Sequence, residues 1–150
     1  MKLKIPPPIF ALICLALMVG VRQFTDIGAF EFPGQTGVAI VLIALGLIVS
    51  FLAMKEFRRA QTTVNPMAPD QASSLVQGGV FKISRNPMYL GLAFILVGAT
   101  IWMGAALNVV VLVFFVIYIT VFQIKPEEDV MAEKFGSEYQ DYRTKVRRWI

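Results

Sequence analysis

Residues 86–124 form a stretch without a single charged side chain, and this stretch limits the possible folds more than any other feature of the chain. It is 39 residues long. At a rise of about 1.5 Å per residue, one helix of that length would be nearly twice the roughly 30 Å thickness of a membrane's hydrocarbon core. The stretch is therefore expected to fold back as a helical hairpin. Trp102, Met103 and Gly104 are its expected tip, because tryptophan favours the membrane interface and glycine permits a turn.

The rest of the composition also indicates an integral membrane protein. Hydrophobic residues make up 57% of the chain and charged residues 16%, whereas about a quarter of a soluble domain is charged. Lys2 and Lys4 with the apolar segment that follows also fit a signal peptide, but no small-residue cleavage site follows, so we interpret the segment as a span. We predict a single all-α domain over residues 1–150 with four membrane-spanning helices, at about 9–21, 38–54, 88–103 and 106–124.

The basic residues are distributed unevenly between the two ends of these helices. Five lie between Lys55 and Arg85 and six lie from Lys125 onwards, but one lies between the first two spans. By the positive-inside rule, both termini and both basic segments are expected in the cytoplasm. The net charge is +4. Because the cations flank apolar spans, we expect them to contact anionic lipid headgroups or an anionic ligand, not nucleic acid.

Several kinds of chemistry are excluded by composition. The chain has no histidine and one cysteine, Cys14, so a disulfide, a Cys/His zinc site and a histidine-based triad are ruled out and no metal is expected. Cys14 is interpreted as a small buried apolar residue. Asn108 is expected to make an interhelical hydrogen bond, and Arg22 and Asp26, four residues apart, to pair at a helix end.

The charged tail is predicted to form two cytoplasmic helices over residues 126–150. Pro126 suits the first turn of a helix, and Gly136 is expected to end that helix. In the second helix, side chains spaced three or four residues apart fall on one face, namely Tyr139, Tyr142, Val146 and Trp149. This predicts an amphipathic helix on the inner leaflet, with its aromatic residues towards the bilayer.

Two polar segments, residues 77–89 and 127–148, lie at the same end of the predicted hairpin and are expected to meet. A pocket between them would combine an apolar wall, Arg85, backbone amides near Gly78 and Gly79, and the adjacent carboxylates Glu127 and Glu128. The structural alternative is that Arg85 anchors headgroups and that the two glutamates favour a helix start. Helix-breaking pairs in the connection before this segment are Asn65-Pro66, Pro69-Asp70 and Gly78-Gly79.

The order of three motifs resembles the C-terminal core of the isoprenylcysteine carboxyl methyltransferase and phospholipid methyltransferase group. The motifs are residues 79–91 with Arg85-Asn86-Pro87, then Glu127-Glu128, then residues 135–142, and the similarity covers about half of the chain. The family commonly has Arg-His-Pro where this chain has Arg85-Asn86-Pro87. Asparagine can still make hydrogen bonds, but it does not titrate near neutral pH.

This resemblance implies an all-helical membrane enzyme that transfers a methyl group from S-adenosylmethionine, bound on the cytoplasmic side, to a lipidic acceptor from the bilayer. The preferred acceptor is the carboxylate of an isoprenylcysteine-like substrate, which Arg143 would orient. The alternative is a phospholipid amine, whose proton Glu128 would take. The residues implied around the cofactor are Gln77, Val80, Arg85, Asn86, Pro87, Tyr89, Leu90, Glu127 and Glu128. The structural alternatives are that Arg143 binds lipid headgroups and that Tyr139 and Tyr142 anchor the helix.

Other classes of protein match fewer of these features. A non-catalytic four-span protein, such as a transporter subunit or assembly factor, is expected to carry polar groups inside its spans, where this chain has mainly Asn108. A trimeric glutathione-using membrane enzyme matches in size, but the long tail fits it poorly. Sterol reductases, which use a nicotinamide cofactor, resemble the C-terminal part but are normally much longer.

Overall fold

In the computed structural model of the chain, which describes residues 5–62 and 71–150, the architecture is all-α. A short 3₁₀-helix at Gly79–Lys82 lies in the connection between the second and third α-helices. The α-helices are α1 (Pro7–Phe24), α2 (Gln35–Arg59), α3 (Pro87–Met103), α4 (Asn108–Ile119) and α5 (Lys125–Lys145).

The helices have the lengths and the apolar character expected of a membrane protein. Helices α1 and α2 and the continuous helix Asn108–Lys145, which contains α4 and α5, are long and apolar enough to cross a bilayer. Helix α3 is also apolar but has 17 residues. The four predicted apolar segments are therefore all helical, and the second one extends further at both ends than the sequence predicted.

Helices α2 and α3 pack closely because small residues face each other across their contact. A side chain added at Gly91 would collide with Ser50 Oγ and would lie 2.6 Å from the carbonyl oxygen of Gly46. One added at Gly98 would lie 3.0 Å from the carbonyl oxygen of Ala39. This is the close helix packing for which the sequence proposed Gly91 and Gly98.

The tip of the predicted hairpin lies where expected. Helix α3 ends at Met103, and Gly104 follows in the left-handed conformation with φ of 60°. The Gly104 carbonyl accepts a hydrogen bond of 2.8 Å from the Phe30 backbone N–H, so the tip contacts the α1–α2 connection.

Arg22 and Asp26 form the predicted ion pair. Asn108 at the start of α4 is fully buried and donates to Met103 Sδ of α3 at 3.4 Å, which confirms an interhelical contact.

The sequence predicted that the hairpin's second helix ends before the charged tail, but the helix continues into it. A π-helical turn at Thr120–Ile124 joins α4 directly to α5, and the Lys125 N–H donates to the Thr120 carbonyl five residues back. A proline within an α-helix lacks one donor and clashes with the carbonyl of the preceding turn. The π turn immediately before Pro126 is wider than an α-helical turn, so it gives the proline ring room and the helix continues through this residue.

The tail also differs from its prediction. Gly136 does interrupt α5, with φ of 52° and ψ of −125°, but the helix ends at Lys145 and Val146 is extended. Tyr139, Tyr142 and Val146 are buried, and they pack on Leu75 of the connection instead of facing the bilayer. The prediction of an aromatic face towards the bilayer is therefore wrong for these residues, because apolar side chains of the protein cover them.

Trp149 does not extend this helical face, contrary to the sequence prediction. Its indole N–H donates to Thr120 Oγ1 at 3.2 Å, and the ring packs against the core that includes Cys14 and Phe115. The core burial of Cys14 confirms its predicted structural role. Of the predicted helix-breaking pairs, Gly78-Gly79 lies at the start of the 3₁₀-helix, and Asn65-Pro66 and Pro69-Asp70 lie outside the described residues.

Candidate functional site

A cavity of about 130 Å³ lies where the start of α3, the start of α5 and residues 72–81 of the connection meet. Its apolar wall is mainly aromatic and methionine side chains: Phe57, Phe81, Met88, Met131, Tyr139 and Tyr142. Its polar side is formed by Arg85, Asn86, Tyr89, Glu127 and Glu128. The two polar segments that the sequence placed at one end of the hairpin therefore meet around one cavity.

Glu128 is buried between two guanidinium groups. Its Oε1 accepts hydrogen bonds from Arg85 Nη2 at 2.6 Å and from Arg148 Nε at 3.0 Å, and its Oε2 accepts from Arg148 Nη2 at 2.7 Å. Burial raises the pKa of this carboxyl group, but the hydrogen bonds from Arg148 and the charge of Arg85 outweigh burial and hold the pKa below its ordinary value. Glu128 is therefore a permanently ionised carboxylate at neutral pH.

Glu127, the preceding residue, has a different environment. Its Oε1 accepts hydrogen bonds from Tyr89 OH at 2.6 Å and from the Gln123 side-chain amide, both of them uncharged donors. Burial raises the pKa of Glu127 from 4.5 to about 7, although these two hydrogen bonds oppose the increase. Glu127 is therefore the carboxylate of the cavity that changes its protonation state near neutral pH.

The end of the chain folds back along the Arg85 region. The backbone N–H of Arg85 donates to the Arg147 carbonyl at 3.0 Å, and the Asn86 side-chain amide donates to the Arg148 carbonyl at 2.9 Å. Ser84 Oγ lies 3.4 Å from the same Arg148 oxygen. Asn86 thus uses its amide to hold residues 146–149, which we call the C-terminal strap, and this donation requires no titratable group.

The structure brings six of the nine residues implied for cofactor binding to the cavity wall, namely Arg85, Asn86, Pro87, Tyr89, Glu127 and Glu128. The other three are elsewhere. The Gln77 amide donates to Glu138 Oε1 at 2.9 Å, Val80 packs on the small cluster around Phe81, and Leu90 does not line the cavity. Their predicted cofactor contacts remain predictions.

Arg143 lies outside the cavity lining. Its side chain is exposed, and its guanidinium carbon is 6.0 Å from the centre of the Tyr139 ring. Its backbone carbonyl accepts a hydrogen bond of 3.3 Å from Arg85 Nη1. The backbone of this residue thus supports Arg85, while the catalytic role of its side chain remains a prediction.

The segment around Gly78 and Gly79, whose backbone amides were expected to line the pocket, lies against another group. The carboxylate of Glu56 at the end of α2 lies against these glycines, so that a side chain added at Gly79 would come within 2.9 Å of Glu56 Oε1. Neither glycine lines the cavity. This part of the connection therefore packs on α2.

Sequence reasoning missed three features of the site. Gln123, which is buried and binds Glu127, stood out only as a polar residue at the end of an apolar run. Tyr139 and Tyr142 line the cavity, and the Tyr142 hydroxyl donates to the Phe81 carbonyl at 2.6 Å. Arg148 carries no sequence signal for its role, because it reaches Glu128 only after the chain turns back beyond Lys145.

The fold and the cavity define a class of protein. It is a small, all-helical integral membrane protein whose aromatic cavity carries two carboxylates, one shared by two guanidinium groups and one held by neutral donors. Among the described residues, no group of histidine, cysteine or acidic side chains has the geometry to hold a metal ion.

Comparison with known proteins identifies the family. The sequence model of the phospholipid methyltransferase family matches residues 35–138, more than half of the chain. The chain belongs to the phospholipid methyltransferase family, which confirms the group that the three ordered motifs predict.

Individual relatives agree with this family. A protein-S-isoprenylcysteine O-methyltransferase of Saccharomyces cerevisiae is 27% identical over 127 residues, which cover 82% of this chain and 53% of that protein. A probable protein-S-isoprenylcysteine O-methyltransferase of Oryza sativa subsp. indica is 27% identical over 123 residues, 82% of this chain and 63% of that protein. An uncharacterised protein of Haemophilus influenzae is 44% identical over 63 residues, 42% of this chain and that protein's full length. The matches thus span less than two thirds of the two named methyltransferases.

Proposed function

We propose that this protein is an S-adenosylmethionine-dependent integral membrane methyltransferase that acts on a lipidic acceptor. The family match supports the reaction class over a non-catalytic four-span protein, a glutathione-using enzyme or a sterol reductase. The observation that carries the proposal is the cavity itself. It joins the Arg85-Asn86-Pro87 motif at the start of α3 to the Glu127-Glu128 pair at the start of α5 through two direct contacts, Arg85 to Glu128 and Tyr89 to Glu127.

The proposed arrangement in the membrane is one domain with four spans. Helices α1, α2, α3 and α4 cross the bilayer, and the charged part of α5 lies at the cytoplasmic surface with both termini. The distribution of basic residues supports this orientation, because Lys55, Arg58, Arg59, Lys82 and Arg85 lie at the same end of the helices as the basic tail. The cavity then opens at the cytoplasmic side, close to the apolar ends of the spans.

The residues of the cavity fit S-adenosylmethionine chemically. An adenine ring matches a wall of aromatic and methionine side chains. Arg85 Nε is buried and has no hydrogen-bond partner among the described residues, and a carboxylate is the natural acceptor for it. Glu127 also lines the cavity, and its carboxylate suits an ammonium or hydroxyl group.

The described residues would hold the cofactor in the following way. Arg85 and Glu127 would bind the two charged ends of its amino-acid part, with Tyr89 and Gln123 fixing the Glu127 carboxylate. Asn86, Pro87 and Glu128 would shape the same side of the site. When bound, S-adenosylmethionine supplies a methyl group already activated on a positively charged sulfur, so the protein needs to provide alignment and exclusion of water.

Two acceptors are chemically compatible with this site. The names of the relatives in yeast and rice support an isoprenylcysteine-like carboxylate, which is anionic already and needs no base. A phospholipid amine, which the family description supports, would first have to lose a proton. Glu127 suits that step better than Glu128, because a pKa of about 7 permits proton uptake at neutral pH and a lowered pKa does not.

The proposal is tested by calorimetric titration of the purified protein in detergent with S-adenosylhomocysteine, with NADPH and glutathione as comparison ligands. Saturable binding of S-adenosylhomocysteine alone is expected. Glu127→Gln removes a charge-assisted contact and should weaken this binding by about tenfold. Glu133→Gln removes a charge from the exposed side of the same helix and should leave it unchanged.

Two results would contradict the proposal. Absence of saturable binding in protein that melts cooperatively would favour a non-catalytic four-span protein. Binding that is equally tight in the Glu127→Gln variant would show that the ligand does not use this cavity. Transfer of a labelled methyl group to an isoprenylcysteine analogue or to a phospholipid amine then distinguishes the two acceptors.

A further inference from the structure

The C-terminal strap contributes to the cavity from outside the part of the chain that the family model matches. That match ends at residue 138, whereas the strap is residues 146–149. Its backbone carbonyls at Arg147 and Arg148 accept hydrogen bonds from the Arg85 backbone and the Asn86 side chain. The strap therefore lies alongside the residues that the proposed cofactor would contact, and its Arg148 side chain reaches Glu128.

Arg148 changes the charge balance around Arg85. Arg85 and Arg148 share the single carboxylate of Glu128, so this group of three side chains keeps one positive charge. Glu127 lies beside them, but its described partners are Tyr89 and Gln123 and not either arginine. Without Arg148, Arg85 and Glu128 would form a closed, neutral ion pair.

The hydrogen bonds of Arg85 show which of its N–H groups is available to a ligand. Its Nη2 donates to Glu128, and its Nη1 lies 3.3 Å from each of the backbone carbonyls of Arg143 and Val146. Its Nε is buried without a hydrogen-bond partner among the described residues. An unsatisfied buried donor is costly, so a cavity-lining guanidinium with one free N–H favours an anionic ligand group.

We propose that Arg148 is a positioning residue, which shares Glu128 with Arg85 and so leaves part of the positive charge of Arg85 uncompensated and available to the carboxylate of the bound cofactor. Arg148 does not line the cavity and acts through Glu128. The inference rests on the proposed function, since it concerns the same cofactor. Selectivity for the amino-acid end of that cofactor then depends on the C-terminal strap.

The test compares two ligands that differ by one carboxylate, S-adenosylmethionine and decarboxylated S-adenosylmethionine. Both keep the adenosine, the sulfonium and the ammonium group. In Arg148→Ala we expect the affinity for S-adenosylmethionine to fall by about tenfold, a typical effect of one charge-assisted hydrogen bond, while the affinity for the decarboxylated ligand changes by less than about threefold. Lys145→Ala, which removes an exposed cation at the end of α5, is the matched control and should affect neither ligand.

A second variant, Arg148→Lys, tests the same role if Arg148→Ala does not fold. In Arg148→Lys the charge stays, but the two-point contact with Glu128 is lost. The preference for S-adenosylmethionine over the decarboxylated ligand should then be intermediate. Thermal melting of each variant in detergent shows whether it is folded.

The outcomes separate this inference from the proposed function. Equal weakening of both ligands in either folded variant, or no weakening in Arg148→Ala, would overturn the positioning role while the unaltered protein still binds S-adenosylmethionine. If the unaltered, folded protein binds neither ligand, the proposed function fails and the positioning role fails with it.

Discussion

Glu127 and Glu128 are adjacent in the sequence, yet they have opposite electrostatic environments. Glu128 faces two guanidinium groups, and its pKa lies below the ordinary value. Glu127 is half-buried and faces a phenol and an amide, and the loss of solvation raises its pKa to about 7. Because successive helical residues point in directions about 100° apart, one pair of carboxylates can supply both a fixed charge and a titratable group.

The raised pKa of Glu127 predicts a specific dependence of stability on pH. The folded protein binds this proton more tightly than the unfolded chain, so the stabilising contribution is complete below about pH 4.5 and is lost as the pH rises through about 7. The melting temperature should therefore fall between about pH 5 and pH 8, and Glu127→Gln should remove most of this dependence. Glu128 does not interfere, because its lowered pKa acts below this interval.

Melting in detergent across this pH range, followed by tryptophan fluorescence, checks this prediction. Glu133→Gln serves as the control and should keep the slope of the unaltered protein. An unchanged slope in Glu127→Gln would show that Glu127 is ionised in the folded protein at all these pH values.

The sequence was sufficient to identify these two glutamates but not to assign their roles. The motif order grouped them with Arg85, and spacing placed them in a first helical turn. The difference between them depends on Arg148 and Gln123, whose side chains reach the site through the strap and through the π turn. Hydrophobic patterns reveal neither the strap nor the π turn. The sequence alone therefore assigns proton uptake to Glu128, whereas the proposed function assigns it to Glu127.

At the scale of helices, the contact between α2 and α3 depends on the absence of side chains. A methyl group at Gly91 would collide with Ser50 Oγ and lie 2.6 Å from the Gly46 carbonyl oxygen, and a backbone carbonyl cannot rotate away. Gly91→Ala should therefore destabilise the protein by roughly 1–3 kcal/mol, the usual cost of overpacking. Gly20→Ala in α1, where no described atom outside the surrounding helix lies within 4 Å of the added side chain, is the control and should change stability by less than about 1 kcal/mol.

Thermal melting of both variants in the same detergent measures the difference. Equal melting temperatures for Gly91→Ala and Gly20→Ala would mean that α2 and α3 are further apart than described. Because Gly91 lies one turn after Pro87, a shift of α3 should also weaken S-adenosylhomocysteine binding in Gly91→Ala. This contact was predictable, since small residues in an apolar helix indicate close packing.

The ends of the helices were predicted less well than their existence. The start of α3 at Pro87 and its end before Gly104 follow from proline and glycine signals. Pro126 is a signal of the same kind, but here the π turn of Thr120–Ile124 lets the helix continue. Hydrophobic periodicity placed Tyr139 and Tyr142 on one face correctly. It did not identify their partner, since a bilayer and an apolar connection containing Leu75 select the same side chains.

At the scale of the whole molecule, the position of the cavity determines what α3 must do in a membrane. Helix α3 has 17 residues and is the shortest candidate for a span, whereas the helix containing α4 is long enough. The start of α3 and the start of α5, which continues α4, meet at one cavity, and the tip between α3 and α4 contacts the α1–α2 connection. If α4 crosses the bilayer, α3 must cross it as well.

This geometry predicts opposite sides for two exposed residues, Glu31 in the α1–α2 connection and Gln140 in the tail. In the proposed arrangement the chain crosses three times between them, through α2, α3 and α4. In a Cys14→Ser background, Glu31→Cys should react with a membrane-impermeant maleimide in intact bacterial cells. Gln140→Cys should react only after permeabilisation, because the positive-inside rule predicts that the basic tail lies in the cytoplasm. Labelling of both from outside would require an even number of crossings, and with α2 crossing the bilayer it would separate the tail from the start of α3. Since Arg85, Glu128 and Arg148 can form one site only if those segments share a side, that single result would exclude the cavity as the functional site in the membrane.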